Sequence, residues 1–257
     1  MTVNIHYQTL SLPPPYAYAY HLQIALPVSQ SGTTMAASIG VDLDWQYTER
    51  EELSEEEIWE EGFTLNDDFQ WQGGLPLAWE APLRTLLQQT QWLSAEAAPE
   101  RDIFVTFTIT DGKQTGGTPH NLADWDYLLQ EVVQGIYEVS GKELPWRVGY
   151  LDVSPSSRTE AFMEAHFAHR RFTATIRDDY QSQTKELPWS ALRPLLSTVY
   201  VPDYHADRAQ PELPKHTGQY IHPGDAWYQL GQAVTNPGKT NAIANLQRAI
   251  DKIINGK

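Results

Sequence analysis

Two pairs of side chains in this sequence have types and spacings that could do chemistry. Asp67 and Asp178 open two similar stretches, Asp67-Asp68-Phe69-Gln70-Trp71-Gln72 and Asp178-Asp179-Tyr180-Gln181-Ser182-Gln183. Two carboxylates brought together push each other's pKa values apart, which supplies the acid and the base of a hydrolase. On the expected strand parity both aspartates fall among apolar residues, where an unpartnered carboxylate is costly. His166 and His169 stand three apart on an expected helix, with Glu160 or Asp152 as neighbours, a spacing that suits two metal ligands on one face. Beside Arg170 and Arg171 the same pair also reads as histidines packed at a helix rim.

The wider sequence restricts the chemistry further. The chain has no cysteine, which removes thiolate nucleophiles and Cys-based metal or iron-sulfur sites. No HExxH, GxSxG, GxGxxG or GxxxxGK[ST] pattern and no EF-hand loop occurs, so no cofactor is expected. A net charge of -15 repels phosphate backbones, and no basic stripe offsets it, so nucleic acid is excluded as a partner. No window approaches 18 uncharged apolar residues, and Met1–Leu12 lacks a basic region followed by an apolar run. The expectation is therefore a cytoplasmic protein that meets neither membrane nor nucleic acid. Its first functional reading is a non-catalytic acidic protein-binding or regulatory protein; the alternative is a hydrolase or metal-dependent enzyme using the carboxylate or histidine pair.

The elements that would position these groups follow from periodicity. Tyr16, Tyr18, Tyr20, Leu22, Ile24 and Leu26 alternate with small or polar residues, and Met35 to Trp45 do the same after a turn at Ser31-Gly32, which predicts an antiparallel hairpin. The tyrosine stripe suits either a ligand platform or a core with its hydroxyls at the rim. Pro13-Pro14-Pro15-Tyr16 spells a PPxY pattern but also reads as an extended lead into the strand. Glu49–Glu61 is the most acidic stretch: Ser54 and Glu57 form a capping box, Leu53 and Ile58 a hydrophobic staple, and Gly62 a stop. It reads as a solvated short helix or as a docking face for a basic partner. Further strands are expected at 63–71, 103–109, 146–152 and 172–180. Helices are expected at 82–93, 122–140, 157–169 and 190–199, with a linker at Ser94–Arg101 and a glycine loop at Asp111–Asn121. Alternating strands and helices predict a mixed α/β (α+β) body with some parallel pairing.

Three segments result: a body over 1–205, an irregular connection at 206–224 and a helical hairpin at 225–257. Within the body the two Asp-Asp stretches each lead to a Leu-Arg-x-Leu-Leu helix, pairing Leu83, Arg84, Leu86 and Leu87 with Leu192, Arg193, Leu195 and Leu196 across a two-residue gap. Possible repeat units are therefore about 15–95 and 102–200.

At the C-terminus, Ala226-Trp227-Tyr228-Gln229-Leu230-Gly231, then Gly238, Ala242, Leu246 and Gln247-Arg248-Ala249-Ile250, resembles a single tetratricopeptide (TPR) repeat over about 226–254. The resemblance implies a helix-turn-helix used in protein contacts. Val234 stands where the family has an aromatic residue, the closing proline is missing and no second copy occurs. Trp227, Leu230, Ile243, Leu246 and Ile250 are then the partner-binding residues, taking a protein partner or a second copy of the chain.

Overall fold

The computed structural model describes residues 1–27, 38–93, 103–108 and 114–256. The turn expected at Ser31-Gly32 and the linker Ser94–Arg101 lie outside the described residues. The chain divides into two compact units, Met1–Lys142 and Glu143–Lys257. This replaces the single body expected over 1–205, and each unit builds a core of its own.

In the first unit β1 (Thr2–Gln8), β2 (Tyr18–Ala25), β3 (Ser38–Tyr47) and β4 (Phe69–Pro76) form an antiparallel meander, with α1 (Glu55–Glu60) in the β3–β4 connection. Period-two alternation buries Val3, Ile5, Leu22, Ile24, Ile39 and Leu43 on one face and leaves Gln23, Asp42 and Gln72 on the other. Pro76 ends β4 and leads through a 3-10 turn, Leu77–Trp79, directly into α2 (Glu80–Gln89). Then come β5 (Trp92–Leu93), β6 (Ile103–Thr108), β7 (Gln114–Pro119) and α3 (Leu122–Val139). β6 returns to pair with β1, giving the order β4-β3-β2-β1-β6-β7-β5. Trp79 of the 3-10 turn and Leu83, Trp125, Leu129 and Ile136 of the two covering helices are fully buried against the sheet. Inside that core the Trp125 indole N–H donates to Thr90 Oγ1 at 2.8 Å, and the Thr90 hydroxyl donates to the Leu86 carbonyl at 2.7 Å, so both buried polar groups are satisfied.

The second unit has β8 (Trp146–Val153), β9 (Arg158–His166), β10 (Arg171–Arg177) and β11 (Ser182–Leu187) in an antiparallel meander. Pro188 leads through a 3-10 turn, Trp189–Ala191, into α4 (Leu192–Val199). After β12 (Asp203–Tyr204), β13 (Gly218–His222) returns to pair with β8, followed by β14 (Tyr228–Gln229), β15 (Val234–Thr235) and α5 (Ala242–Asn255). The order is β11-β10-β9-β8-β13-β14, with β12 and β15 in a separate ladder.

The two units thus run through a similar succession: meander, proline, 3-10 turn, helix, a two-residue strand, a strand returning to the first strand, one further strand in the first unit and two in the second, and a closing helix. Counted from Pro76 and Pro188, Pro82 falls on Pro194 and Leu83 on Leu195, and both leucines are fully buried. The sequence comparison pairs Leu83 with Leu192 instead, three positions earlier. Either register puts leucines on the buried face, because residues three apart are neighbours on a helix.

Several expected elements change. Every ladder between named strands is antiparallel, since after α2 and α4 the chain returns from one sheet edge to the first strand of its meander rather than to the strand just left. The helix expected at 157–169 is β9: Ala161, Met163 and Ala165 point inward, alternating with Glu160, Phe162 and Glu164, and the period of two wins over the capping-box pattern of Ser157-Arg158-Thr159-Glu160, which suggests a helix start. Ser157 instead closes a turn, its N–H donating to Ser154 Oγ at 3.0 Å. Of the expected glycine loop, Gln114–Pro119 is strand β7 and only His120 and Asn121 of the other described residues remain outside it.

The helical hairpin expected at 225–257 is a single helix, α5. Trp227 exchanges two backbone hydrogen bonds of 2.9 Å with Gln210, and Tyr228 and Gln229 pair with β13. Gly231 at φ 78° and Pro237-Gly238 break the short run before it, so sheet pairing prevails over the helical spacing of Trp227, Leu230 and Val234.

Candidate functional site

The aspartates singled out in the sequence fall in different units, and each is held by its own turn. Asp67 accepts from the Thr64 N–H at 2.7 Å, from the Thr64 hydroxyl at 2.7 Å and from Arg50 Nη1 at 3.2 Å. Burial opposes its charge, but these donors outweigh it and hold the carboxyl below its ordinary pKa. Asp178 accepts from the Tyr180 and Gln181 N–H groups, both at 2.8 Å, and these also lower its pKa. Their neighbours do parallel work: Asp68 accepts from the Tyr47 N–H at 2.9 Å and Asp179 from the Arg158 N–H at 3.1 Å. Both Asp-Asp stretches are thus turn caps opening the last strand of a meander.

His166 lies on β9 and its ring bonds Glu164, while His169 is exposed in the β9–β10 turn, so a strand and a turn replace the helix that would have aligned them. Among the described residues no group of three or more His, Asp or Glu is arranged to hold a metal. Leu246 and Ile250 are fully buried, Trp227 is buried, and Leu230 and Ile243 pack partly buried against the core of their own unit. The apolar stripe of α5 is therefore covered by its own sheet and α4 rather than offered to a partner.

The charge of the chain is not shared between the units. Residues 1–142 carry 21 acidic and 5 basic side chains, residues 143–257 carry 12 and 13, and the entire excess lies in the first unit. Much of it sits in one connection. β10 turns into β11 through four residues, 178–181, whereas β3 reaches β4 through 21, 48–68, of which ten are acidic and one is basic.

This excursion is ordered by a few contacts. Ser54 caps α1, accepting from the Glu57 N–H at 3.3 Å while Glu57 accepts from the Ser54 N–H at 2.8 Å, as the capping box requires. Gly62 at φ 82° closes the helix end, and Ile58 anchors the helix in the interior. The Arg50 guanidinium donates to the Pro15 carbonyl at 3.0 and 3.1 Å and to the Thr64 carbonyl at 2.9 Å, and lies 3.9 Å from the Tyr47 ring centroid. It thereby ties the excursion to the 9–17 loop. Tyr16 completes the tie through its hydroxyl to Glu61 and its ring edge against Phe63.

With its interior fixed, the excursion turns Glu55, Glu56 and Glu60 to solvent and leaves Trp59 and Leu65 59% and 54% exposed. Leu10, Leu12 and Tyr16 on the tied loop are exposed too, so five of the six large exposed apolar side chains recorded for the first unit belong to these two segments. Exposed apolar groups in a field of carboxylates suit a cationic surface with its own apolar anchor. The sequence marked the acids and the cap of this stretch; it did not mark the exposure of Trp59, which depends on which face of α1 is anchored, or of Leu65, which falls in the turn before β4 rather than in the strand expected from residue 63.

A second feature escaped the sequence altogether: a cavity of about 610 Å³ on the open face of the second sheet, over Arg147, Phe162 and Glu164. The misassigned helix hid it, because only as strand residues do Phe162 and Glu164 share a face.

No protein-family model, curated protein or solved structure matches this chain.

Proposed function

We propose that this is a non-catalytic binding protein whose docking element is the acidic β3–β4 excursion of the first unit, and that its partner is a basic protein. The observation that carries this is the pairing of exposed Trp59 and Leu65 with Glu55, Glu56 and Glu60 on a connection far longer than its counterpart in the second unit. Added length on a rigid frame is where binding groups concentrate. The matching succession of elements, Pro76 with Pro188 and the two Asp-Asp turns, supports reading the units as copies of one ancestral unit, of which the first gained the excursion.

The test is affinity capture of a basic protein from the native host, using the full chain and a variant carrying Glu55→Gln, Glu56→Gln, Glu60→Gln and Trp59→Ser. All four side chains are exposed, so the variant is expected to keep its thermal unfolding temperature. The captured protein should leave the parent as salt rises, since screening acts on exposed charges, and should be absent from the variant. Identical capture by both proteins would refute the assignment of the docking element.

A further inference from the structure

The cavity over the second sheet has the size of a small-molecule site. Its walls divide into an apolar end and a polar end. At the apolar end the Phe162 and Trp227 rings meet edge to face at 6.1 Å, and His222 stands 5.2 Å from Trp227. Gly149 lets them converge: a Cβ at that position would lie 2.9 Å from the Trp227 ring and 3.2 Å from both Phe162 and the His222 Cβ. Phe162 remains partly exposed toward the cavity, and Arg177 lies 6.0 Å from its ring centroid.

At the polar end Arg147 and Glu164 face each other in the β8–β9 register, with Arg147 Nε donating to Glu164 Oε2 at 2.8 Å. The other Glu164 oxygen takes His166 Nε2. Burial opposes the charge of Glu164, but Arg147 and His166 outweigh it and keep its carboxyl below the usual range. Both carboxylate oxygens are thus in use, and Glu164 orients the guanidinium through its Nε alone. The two Nη groups have no partner among the described residues, and the Arg147 side chain is 67% exposed. A guanidinium held at one edge with its other donors open is arranged for a carboxylate. Thr173 and Thr175 line the adjoining wall on β10.

We infer that this cavity binds a small amphipathic carboxylate, with its carboxylate on the Nη donors of Arg147 and its apolar body on Phe162 and Trp227. The site is independent of the acidic excursion and stands whether or not that element docks a protein.

Calorimetric titration of the full chain with three probes of one shape tests it: 3-phenylpropionate, 3-phenylpropan-1-ol and 3-phenylpropylamine. The acid should bind saturably, the alcohol about tenfold more weakly for want of the charge-assisted hydrogen bonds, and the amine not measurably. Arg147→Gln should weaken the acid by about tenfold and leave the alcohol unchanged, while Arg147→Lys, which keeps the charge but not the fork, should recover only part of the loss. Phe162→Ser should weaken acid and alcohol alike. Both side chains are exposed enough that the variants are expected to fold, which thermal unfolding checks. Equal binding of the three probes, acid binding unaffected by Arg147→Gln, or no saturable binding of the acid would each overturn the inference.

Discussion

The two units share a succession of elements and differ in what they hang on it. On the open face of the first sheet, amides and carboxylates bond one another across strands: Gln23 Nε2 donates to Asn4 Oδ1 at 2.8 Å, Gln70 to Asp44 at 3.2 Å and Gln72 to Asp42 at 3.3 Å. The same face of the second sheet carries Arg147, Phe162 and Glu164 beneath a cavity. Conversely, the second unit closes its last hairpin in four residues, while the first opens that turn into an acidic excursion with its own helix. Residues facing the helices are under similar constraints in both, being apolar and alternating. The open faces and the turn are where the units diverge: the second sheet buries a small cluster of Leu151, Tyr220 and Trp227 on that face beside the cavity, whereas the first covers it with amides and carboxylates. A frame whose main core lies on one face of its sheet leaves much of the other face and the hairpin ends available for function.

The comparison breaks first if the matched core positions are not equivalent. Leu83→Ala and Leu195→Ala should each lower stability by about 2–5 kcal/mol, the usual cost of an aliphatic cavity. Both leucines are fully buried in the first full turn of a helix that follows Pro76 or Pro188 through a 3-10 turn. Denaturant unfolding of each variant measures this. A loss below about 1 kcal/mol at either site would show that the proline-based register misplaces the core.

A smaller effect distinguishes the two Asp-Asp turns. Asp67 has a depressed folded-state pKa, so its contribution is fully present above the unfolded value of about 3.9 and is lost as pH falls through the folded value. Asp67→Asn should therefore cost about 1 kcal/mol near neutral pH and progressively less in acid, where the parent aspartate is itself protonated. Asp178 is also depressed, but it is exposed and held only by its own turn, so Asp178→Asn should show the same sign and a smaller effect. Stability measured from neutral pH down to the acid transition checks both. A cost for Asp67→Asn that stays constant with pH would remove the ionic part of the account.

The smallest effect sharpens the view of the excursion as an addition to the frame. Ser54→Ala removes the cap of a six-residue helix and should cost about 1 kcal/mol, felt locally. Hydrogen exchange should speed up in 55–60 while β3 and β4 stay protected. Loss of protection throughout the first sheet would mean that the excursion is part of the frame after all.

By itself the sequence determined those features set by neighbours along the chain. The alternation of Tyr18–Ala25 and of the residues around Leu43, the helical spacing of Leu122–Val139, and the Ser54–Glu57 box each announce the element they form. The similarity of the two Asp-Asp stretches was visible too, although their role as turn caps was not, because it depends on which N–H groups the turn brings within reach. Tertiary structure decided the rest. Trp227–Gln229 has helical spacing yet pairs with Gln210 and β13, since partners distant in sequence satisfy its backbone better than a short helix between Gly231 and Pro237-Gly238 would. Ser157-Arg158-Thr159-Glu160 spells a helix-capping box, yet Arg158–His166 alternates in a sheet, and only the sheet brings Glu164 opposite Arg147, Gly149 opposite Phe162, and the cavity above them. Local periodicity fixes which side of an element is apolar; what lies opposite each side is set by strand order and register, which depend on contacts between residues far apart in the chain.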